Sequence, residues 1–226
     1  MLDIKNKLSN FGFIKKSQYG KIWNEKNGDE QNEWYSRMHD SCQAQHNIFK
    51  SFLQEKKDIE TILEVGCGTG IYPIKYKELF FNKKYTGIDI SKTASEYCKK
   101  NSDFEFMCCD FIKLNVSQKY DFVFSHAVID HVYDITAFIT KLIDTSNKYT
   151  YVSSYRGYFP NLSQHKMKWN NNDSCYYNDI SITELKETLK KIGLHDGEFI
   201  IKSVKVDNVG TDDDWQTIIM VIKNHK

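Results

Sequence analysis

Residues Thr61-Ile62-Leu63-Glu64-Val65 form an apolar run closed by an acid, and the chain then breaks into Gly66-Cys67-Gly68-Thr69-Gly70. The pattern reads as a strand feeding a ligand-binding turn. Glycine at every second position lets the backbone take φ > 0 and approach a ligand closely. Gly70 is placed to open a helix whose free N–H groups favour an anionic or polar group. In an α/β sheet the crevice beyond the carboxyl end of such a strand is where a small molecule is expected.

The spacing chooses among ligands. A dinucleotide fingerprint needs its third glycine where Ile71 stands, and a phosphate-cradling loop needs Gly-Lys-Ser/Thr, which is absent. The remaining segment, Glu64-Val65-Gly66-Cys67-Gly68-Thr69-Gly70, resembles the first motif of the class I S-adenosylmethionine-dependent methyltransferases. Three further segments agree in order. Lys84-Tyr85-Thr86-Gly87-Ile88-Asp89-Ile90-Ser91 is a second strand ending in an acid about 20 residues on, the spacing at which such folds set a carboxylate on ribose hydroxyls. Phe104 to Cys109 leads into Asp110-Phe111, similar to the family's adenine corner, and Tyr120 to His126 resembles its fourth strand. The resemblance covers roughly residues 60 to 155. It implies that Glu64, Gly66, Cys67, Gly68, Gly70, Asp89, Ile90, Asp110, Phe111 and Ser125 hold S-adenosylmethionine, with Asp89 on the ribose and Asp110 facing the exocyclic amine. The product would be S-adenosylhomocysteine.

At 226 residues a single domain is expected, burying about 70 % of its unfolded surface. Lys+Arg 31 against Asp+Glu 30 gives a formal charge of +1, which argues against nucleic acid or an acidic membrane as partner. No apolar run approaches 18 residues, and Met1 to Lys7 lacks the apolar core of a signal peptide, so a soluble, cytoplasmic monomer or homodimer is the expectation. The six cysteines contain no Cys-x-x-Cys pair and read as thiols, with Cys108-Cys109 inside a buried strand.

Apolar spacing from Trp34 to Leu53 predicts one helix over about 32–56, and Gly70 to Phe80 a second that tolerates Pro73 in its first turn. Ser91 and Asp134 are placed to cap the helices that follow them, and Ser181-Ile182-Thr183-Glu184 is a capping-box pattern. Strands alternate with helices, so a Rossmann-like α/β fold follows, with a mainly parallel sheet covered on both faces. The resemblance adds seven strands, the last antiparallel. The chain divides into an N-terminal lid and helix (1–57), a cofactor-binding half (58–155), a substrate-lid insertion (156–180) and a C-terminal helix with closing strands (181–226). The insertion shows no clear periodicity, which marks a functional connection.

Methyl transfer is an in-line displacement that must align the nucleophile, exclude water and, for a hydroxyl acceptor, remove a proton. His126, Asp130 and His131 follow the fourth strand and are the candidate catalytic residues. Tyr19, Trp23, Tyr155, Arg156, His165 and Trp169 are the candidate substrate contacts, with Arg156 as a clamp for an anionic group. Related enzymes that use magnesium carry Glu-x-x-Glu-His, whereas Ala127 takes the first ligand position in Ala127-Val128-Ile129-Asp130-His131, so no metal is expected. Asp212-Asp213-Asp214 reads as a solvated hairpin loop. The Asn/Asp-Pro-Pro-Tyr/Phe signature of base methylation is missing. A small-molecule acceptor follows, oxygen favoured slightly over nitrogen because two histidines flank the methyl position. Two alternatives stay open: a non-catalytic cofactor-binding or partner-docking protein, and a nicotinamide-dependent reductase, which would need a Tyr-x-x-x-Lys pair that Tyr72-Pro73-Ile74-Lys75-Tyr76 does not supply.

Overall fold

The computed structural model describes residues 18–205 and 216–223. The Asp212–Asp214 run and the first 17 residues lie outside them. The strands are β1 (Thr61–Val65), β2 (Lys84–Asp89), β3 (Glu105–Cys108), β4 (Tyr120–His126), β5 (Ser146–Ser153), β6 (Tyr158–Phe159), β7 (Lys166–Asn170), β8 (Cys175–Ser181), β9 (Phe199–Lys205) and β10 (Gln216–Lys223). Seven of them form one sheet in the order β3-β2-β1-β4-β5-β10-β9. The first five pair in parallel, and β10 runs antiparallel to both β5 and β9.

Side chains that alternate along the strands build two cores. Ile62, Phe122, Phe124 and Tyr151 face one way, against α2 (Gln43–Glu55), α3 (Ile71–Lys75), α4 (Lys77–Phe80) and α5 (Lys92–Asn101) through Phe49, Leu53, Tyr72, Phe80 and Cys98. Leu63, Val65, Val123 and Val152 face the other way, against α6 (Ile135–Thr145) and α7 (Ile182–Lys191) through Phe138, Ile139, Leu142, Leu185 and Leu189. Each fully buried side chain of this size contributes about 1.5–3 kcal/mol, so both faces are needed to hold the sheet.

The caps read from sequence are present: Ser91 Oγ accepts from Ala94 N (3.1 Å), Asp134 Oδ1 from Ala137 N (2.8 Å) and Ser181 Oγ from Glu184 N (3.1 Å). Four expectations are corrected. The helix over 32–56 is two, because α1 (Gly28–Asp40) stops where Ser41 Oγ donates back to the Met38 carbonyl and Cys42 leaves helical geometry (φ −118°, ψ 37°). The helix over 70–80 also divides, at Tyr76 (φ −118°, ψ 45°), whose hydroxyl lies 2.8 Å from His39 Nε2. Cys108 is exposed and not buried, since β3 is an edge strand. Finally, the insertion is a small sheet of its own in the order β6-β8-β7.

Candidate active site

A cavity of about 470 Å³ opens at the carboxyl ends of β1, β2 and β4. At one end the glycine turn is pinned across the sheet, with Gly66 N (2.7 Å) and Cys67 N (3.1 Å) both donating to the Ile88 carbonyl. Gly68 N donates to Asp89 Oδ2 at 2.8 Å and Ser91 N to Asp89 Oδ1 at 2.7 Å, so the turn and the acid hold each other in place. Burial pushes the Asp89 carboxyl up, and the N–H groups of Ser91, Gly68 and Ile90 oppose that shift. Gly66 stands at φ +78°, and a Cβ there would lie 2.1 Å from Val128 Cγ2; at Gly68 (φ +51°) it would lie 3.0 Å from the Tyr35 ring. Both positions are closed to side chains, which leaves bare backbone lining a cradle. Together with two acids, this lining suits a nucleoside with a polar tail.

Glu64, Cys67, Asp89, Ile90, Asp110 and Phe111 all line this end. Asp110 already accepts from Tyr133 Oη (2.9 Å), Lys113 Nζ (2.9 Å) and Ile112 N (3.1 Å), which fixes its carboxylate at the lip. The Tyr85 hydroxyl donates to Glu64 at 2.5 Å, and burial raises the Glu64 carboxyl well above its usual range. Two expected cofactor contacts stand outside the lining. Ser125 is fully buried and donates to the Val65 carbonyl (2.8 Å), tying β4 to β1. Gly70 is turned to the Phe106 ring, 3.4 Å from its Cβ position, and the five-residue α3 that it caps is too short to gather much dipole.

His131 forms the hub of the other end. Its Nδ1 lies 2.8 Å from the Tyr176 carbonyl, and its ring meets Trp23 at 5.7 Å, Tyr155 at 5.6 Å and Tyr177 at 5.2 Å. The Tyr19 hydroxyl donates to the His131 carbonyl (3.2 Å), and Gly20 N donates to the Ser174 carbonyl (3.0 Å). The Trp23 carbonyl accepts from Ser91 Oγ (2.5 Å), so the segment 19–24 straps the cavity from β2 to the small sheet. Tyr19, Trp23, His131 and Tyr155 all line it.

The other sequence candidates have structural duties. Asp130 is fully buried and accepts from Ser154 Oγ and the amides of Tyr155 (3.3 Å) and Arg156 (3.2 Å), so it shapes the loop after β5 and does not face the cavity. Arg156 pairs with Asp179 at 2.6 Å, which takes it out of the clamp role. His165 Nδ1 accepts from Ser181 N (2.9 Å), replacing the glutamate of a capping box at the start of α7. Trp169 packs on Tyr176 (5.2 Å), and neither ring lines the cavity.

His126 lines the cavity with its ring stacked on Tyr72 (4.3 Å), but its Nε2 is buried and its Nδ1 lies 2.5 Å from Ser153 Oγ. Burial lowers its pKa far below the ordinary imidazole range. It is a wall residue whose Nδ1 is engaged by Ser153. Beside it runs a ladder that the sequence reading missed, whose Tyr72, His46 and His39 also line the cavity: Tyr72 Oη to His46 Nδ1 (2.8 Å), His46 stacked on His39 (3.8 Å, 4° between planes), and His39 Nε2 to Tyr76 Oη. Tyr35, over the glycine turn, was missed as well, while Tyr177 belongs to the insertion already read as a substrate lid. No local signal marks Tyr35 or the ladder, because these residues come from α1, α2 and α3 and meet only in the fold. Among the described residues no group of three or more His, Cys, Asp or Glu is arranged to hold a metal.

Comparison with known proteins agrees with this geometry. A family model described as a methyltransferase domain matches residues 56–206. The malonyl-[acyl-carrier protein] O-methyltransferase of Acetivibrio thermocellus is 33 % identical over 87 residues, 37 % of this chain and 31 % of that protein. The (S)-tetrahydroprotoberberine N-methyltransferase of Eschscholzia californica is 26 % identical over 113 residues, 47 % of this chain and 32 % of that protein. The chain thus spans about a third of the length of the curated relatives it matches. The plantazolicin methyltransferase BpumL, solved with S-adenosylhomocysteine, superposes with a TM-score of 0.63 at 16 % identity, covering 98 % of this chain and 99 % of that one.

Proposed function

We infer the reaction from one established premise: this chain belongs to the family of methyltransferase domains. It transfers the methyl group of S-adenosylmethionine to a small-molecule acceptor, releasing S-adenosylhomocysteine. The observation that carries the reading is that one cavity joins the Gly66–Gly68 turn and Asp89 to an imidazole walled by aromatic rings. When bound, the cofactor supplies an electrophilic methyl on a sulfonium; the protein's residues orient it and manage the acceptor's proton. Asp89 is assigned to the ribose hydroxyls, the open backbone at Gly66 and Gly68 to the amino-acid tail, and Asp110, Phe111 and Ile90 to the base.

His131 is the proton acceptor. Its Nδ1–H donates to the Tyr176 carbonyl, so Nε2 carries the lone pair. That serves a hydroxyl or an amine acceptor alike. The cover is formed by the 19–24 strap and the small sheet of β6, β7 and β8, which together keep water from the methyl. Incubation of the purified chain with methyl-labelled S-adenosylmethionine and pooled metabolites tests the proposal. Label must appear in an organic product; a chain that binds the cofactor yet labels nothing from any pool favours the non-catalytic alternative.

A further inference from the structure

The acceptor end of the cavity has one sign of charge. Its walls are the rings of Tyr19, Trp23, His131, Tyr155 and Tyr177, and Asp173 lines it beside them. Asp173 Oδ2 accepts from Tyr177 Oη (2.7 Å) and from Asn170 Nδ2 (2.8 Å), which fixes the carboxylate against the wall. The rest is lined by Asp89, by Asp110, which pairs with Lys113, by Glu64, whose carboxyl burial raises well above its usual range, and by the imidazoles of His39, His46 and His126; among the described residues no lysine or arginine lines any part of it. The guanidinium of Arg156 stands 5.6 Å over the Tyr177 ring, outside the lining, and is paired with Asp179, which also takes Lys168 at 3.1 Å.

Aromatic faces carry negative potential and attract a desolvated cation, while a buried anion without a cationic partner is strongly disfavoured. We propose that the methyl acceptor is a flat molecule bearing a basic nitrogen, drawn in as a cation by this aromatic and carboxylate lining. The proposal rests on the methyl-transfer reading above and narrows its acceptor. The ammonium gives one proton to His131 Nε2; the freed nitrogen lone pair attacks the methyl carbon as the carbon–sulfur bond breaks. The bonding pair stays on sulfur, and the positive charge passes to the methylated amine. Without the first transfer the nitrogen has no lone pair, so the lining and the imidazole act in sequence.

Two probes of one size and opposite charge test the assignment. The full chain, saturated with S-adenosylhomocysteine, is titrated calorimetrically with phenethylamine and with phenylacetate. Phenethylamine is expected to bind about tenfold or more tightly than phenylacetate, in line with a desolvated cation–π contact plus a carboxylate. Asp173→Asn keeps an oxygen for the Tyr177 hydroxyl and should erase most of that preference while S-adenosylhomocysteine affinity holds. Trp23→Leu should weaken phenethylamine in the same way. Equal or tighter binding of phenylacetate, which the buried Nε of Arg156 would favour, overturns the proposal. So does failure of both probes to bind, or a preference untouched by either variant. A wild-type chain that does not bind S-adenosylhomocysteine strikes the cofactor reading instead, and the two failures are read in separate titrations.

Discussion

His131 Nδ1 lies 2.8 Å from the carbonyl oxygen of Tyr176, and a carbonyl only accepts. The imidazole is therefore held in the tautomer that leaves Nε2 unprotonated. Replacing it by glutamine should lower single-turnover methyl transfer by about 10²–10⁴ while calorimetric affinity for the cofactor is kept. His126→Gln, which alters a wall and not the base, should cost less than about tenfold. Equal losses in the two variants would return His126 to the chemistry.

The Asp89 carboxylate is oriented by two backbone N–H groups at the lip of the cavity. Asp89→Ala should weaken S-adenosylmethionine by roughly 1.5–3 kcal/mol, the worth of charge-assisted hydrogen bonds to a ribose. Titration calorimetry on a variant with unaltered circular dichroism measures this. Unchanged affinity would remove Asp89 from the site.

A third expectation is acid sensitivity from the imidazole ladder. Burial lowers the His46 pKa to about 3, and His39 and His126 shift the same way. Above about 6.5 these rings are neutral in both folded and unfolded chains; below it the unfolded chain binds protons that the native state refuses. Stability therefore falls as pH drops from about 6.5 toward 3, by about 2 kcal/mol at pH 5 for His46 alone. Urea titrations at pH 7 and pH 5 should show the loss, and His46→Phe should reduce it by the His46 share, leaving that of His39 and His126. A pH-independent midpoint in the wild type contradicts the buried neutral assignment.

Gly66→Ala sets a methyl 2.1 Å from Val128 Cγ2 at a φ of +78°. The backbone strain alone costs about 1–2 kcal/mol, and the overlap adds to it. Thermal melts should fall in Gly66→Ala and recover in part in Gly66→Ala/Val128→Ala, which relieves the overlap but not the strain. No recovery would mean that the turn tolerates no side chain for another reason.

His165→Ala removes the ring that accepts from Ser181 N at the start of α7. A loss of about 0.5–2 kcal/mol in chemical denaturation is expected, as for other helix caps, with turnover per folded molecule unchanged. A selective fall in turnover would restore His165 to the substrate site.

Legibility followed sequence distance. The caps at Ser91, Asp134 and Ser181 are local devices, each readable within a few residues because its hydrogen bond closes within the same turn, whereas the Gly66–Gly68 turn and Asp89, whose bonds cross from β1 to β2, are readable from their ordered spacing. The hydrogen-bond partners of Asp130 and Arg156 were not legible, for the opposite reason. Their partners, Ser154 and Asp179, are set by how β5 and β8 come together, and a charged residue near a strand end looks the same whether it faces ligand or backbone. Tyr35 and His46 gave no signal at all, since a helix's apolar period shows which face is buried but not that the buried face is a cavity. The break at Ser41-Cys42 escaped notice because the apolar spacing continues through it.

The bond from Gly20 N to the Ser174 carbonyl joins parts of the chain that flank nearly the whole parallel sheet in sequence. Closing so long a loop carries an entropic cost, so the contact forms after the sheet and opens without disturbing it. Hydrogen exchange at the Gly20 amide should accordingly run far ahead of exchange in β4. A molecule held beneath the strap would slow it, which makes one amide a clock for occupancy of the cavity.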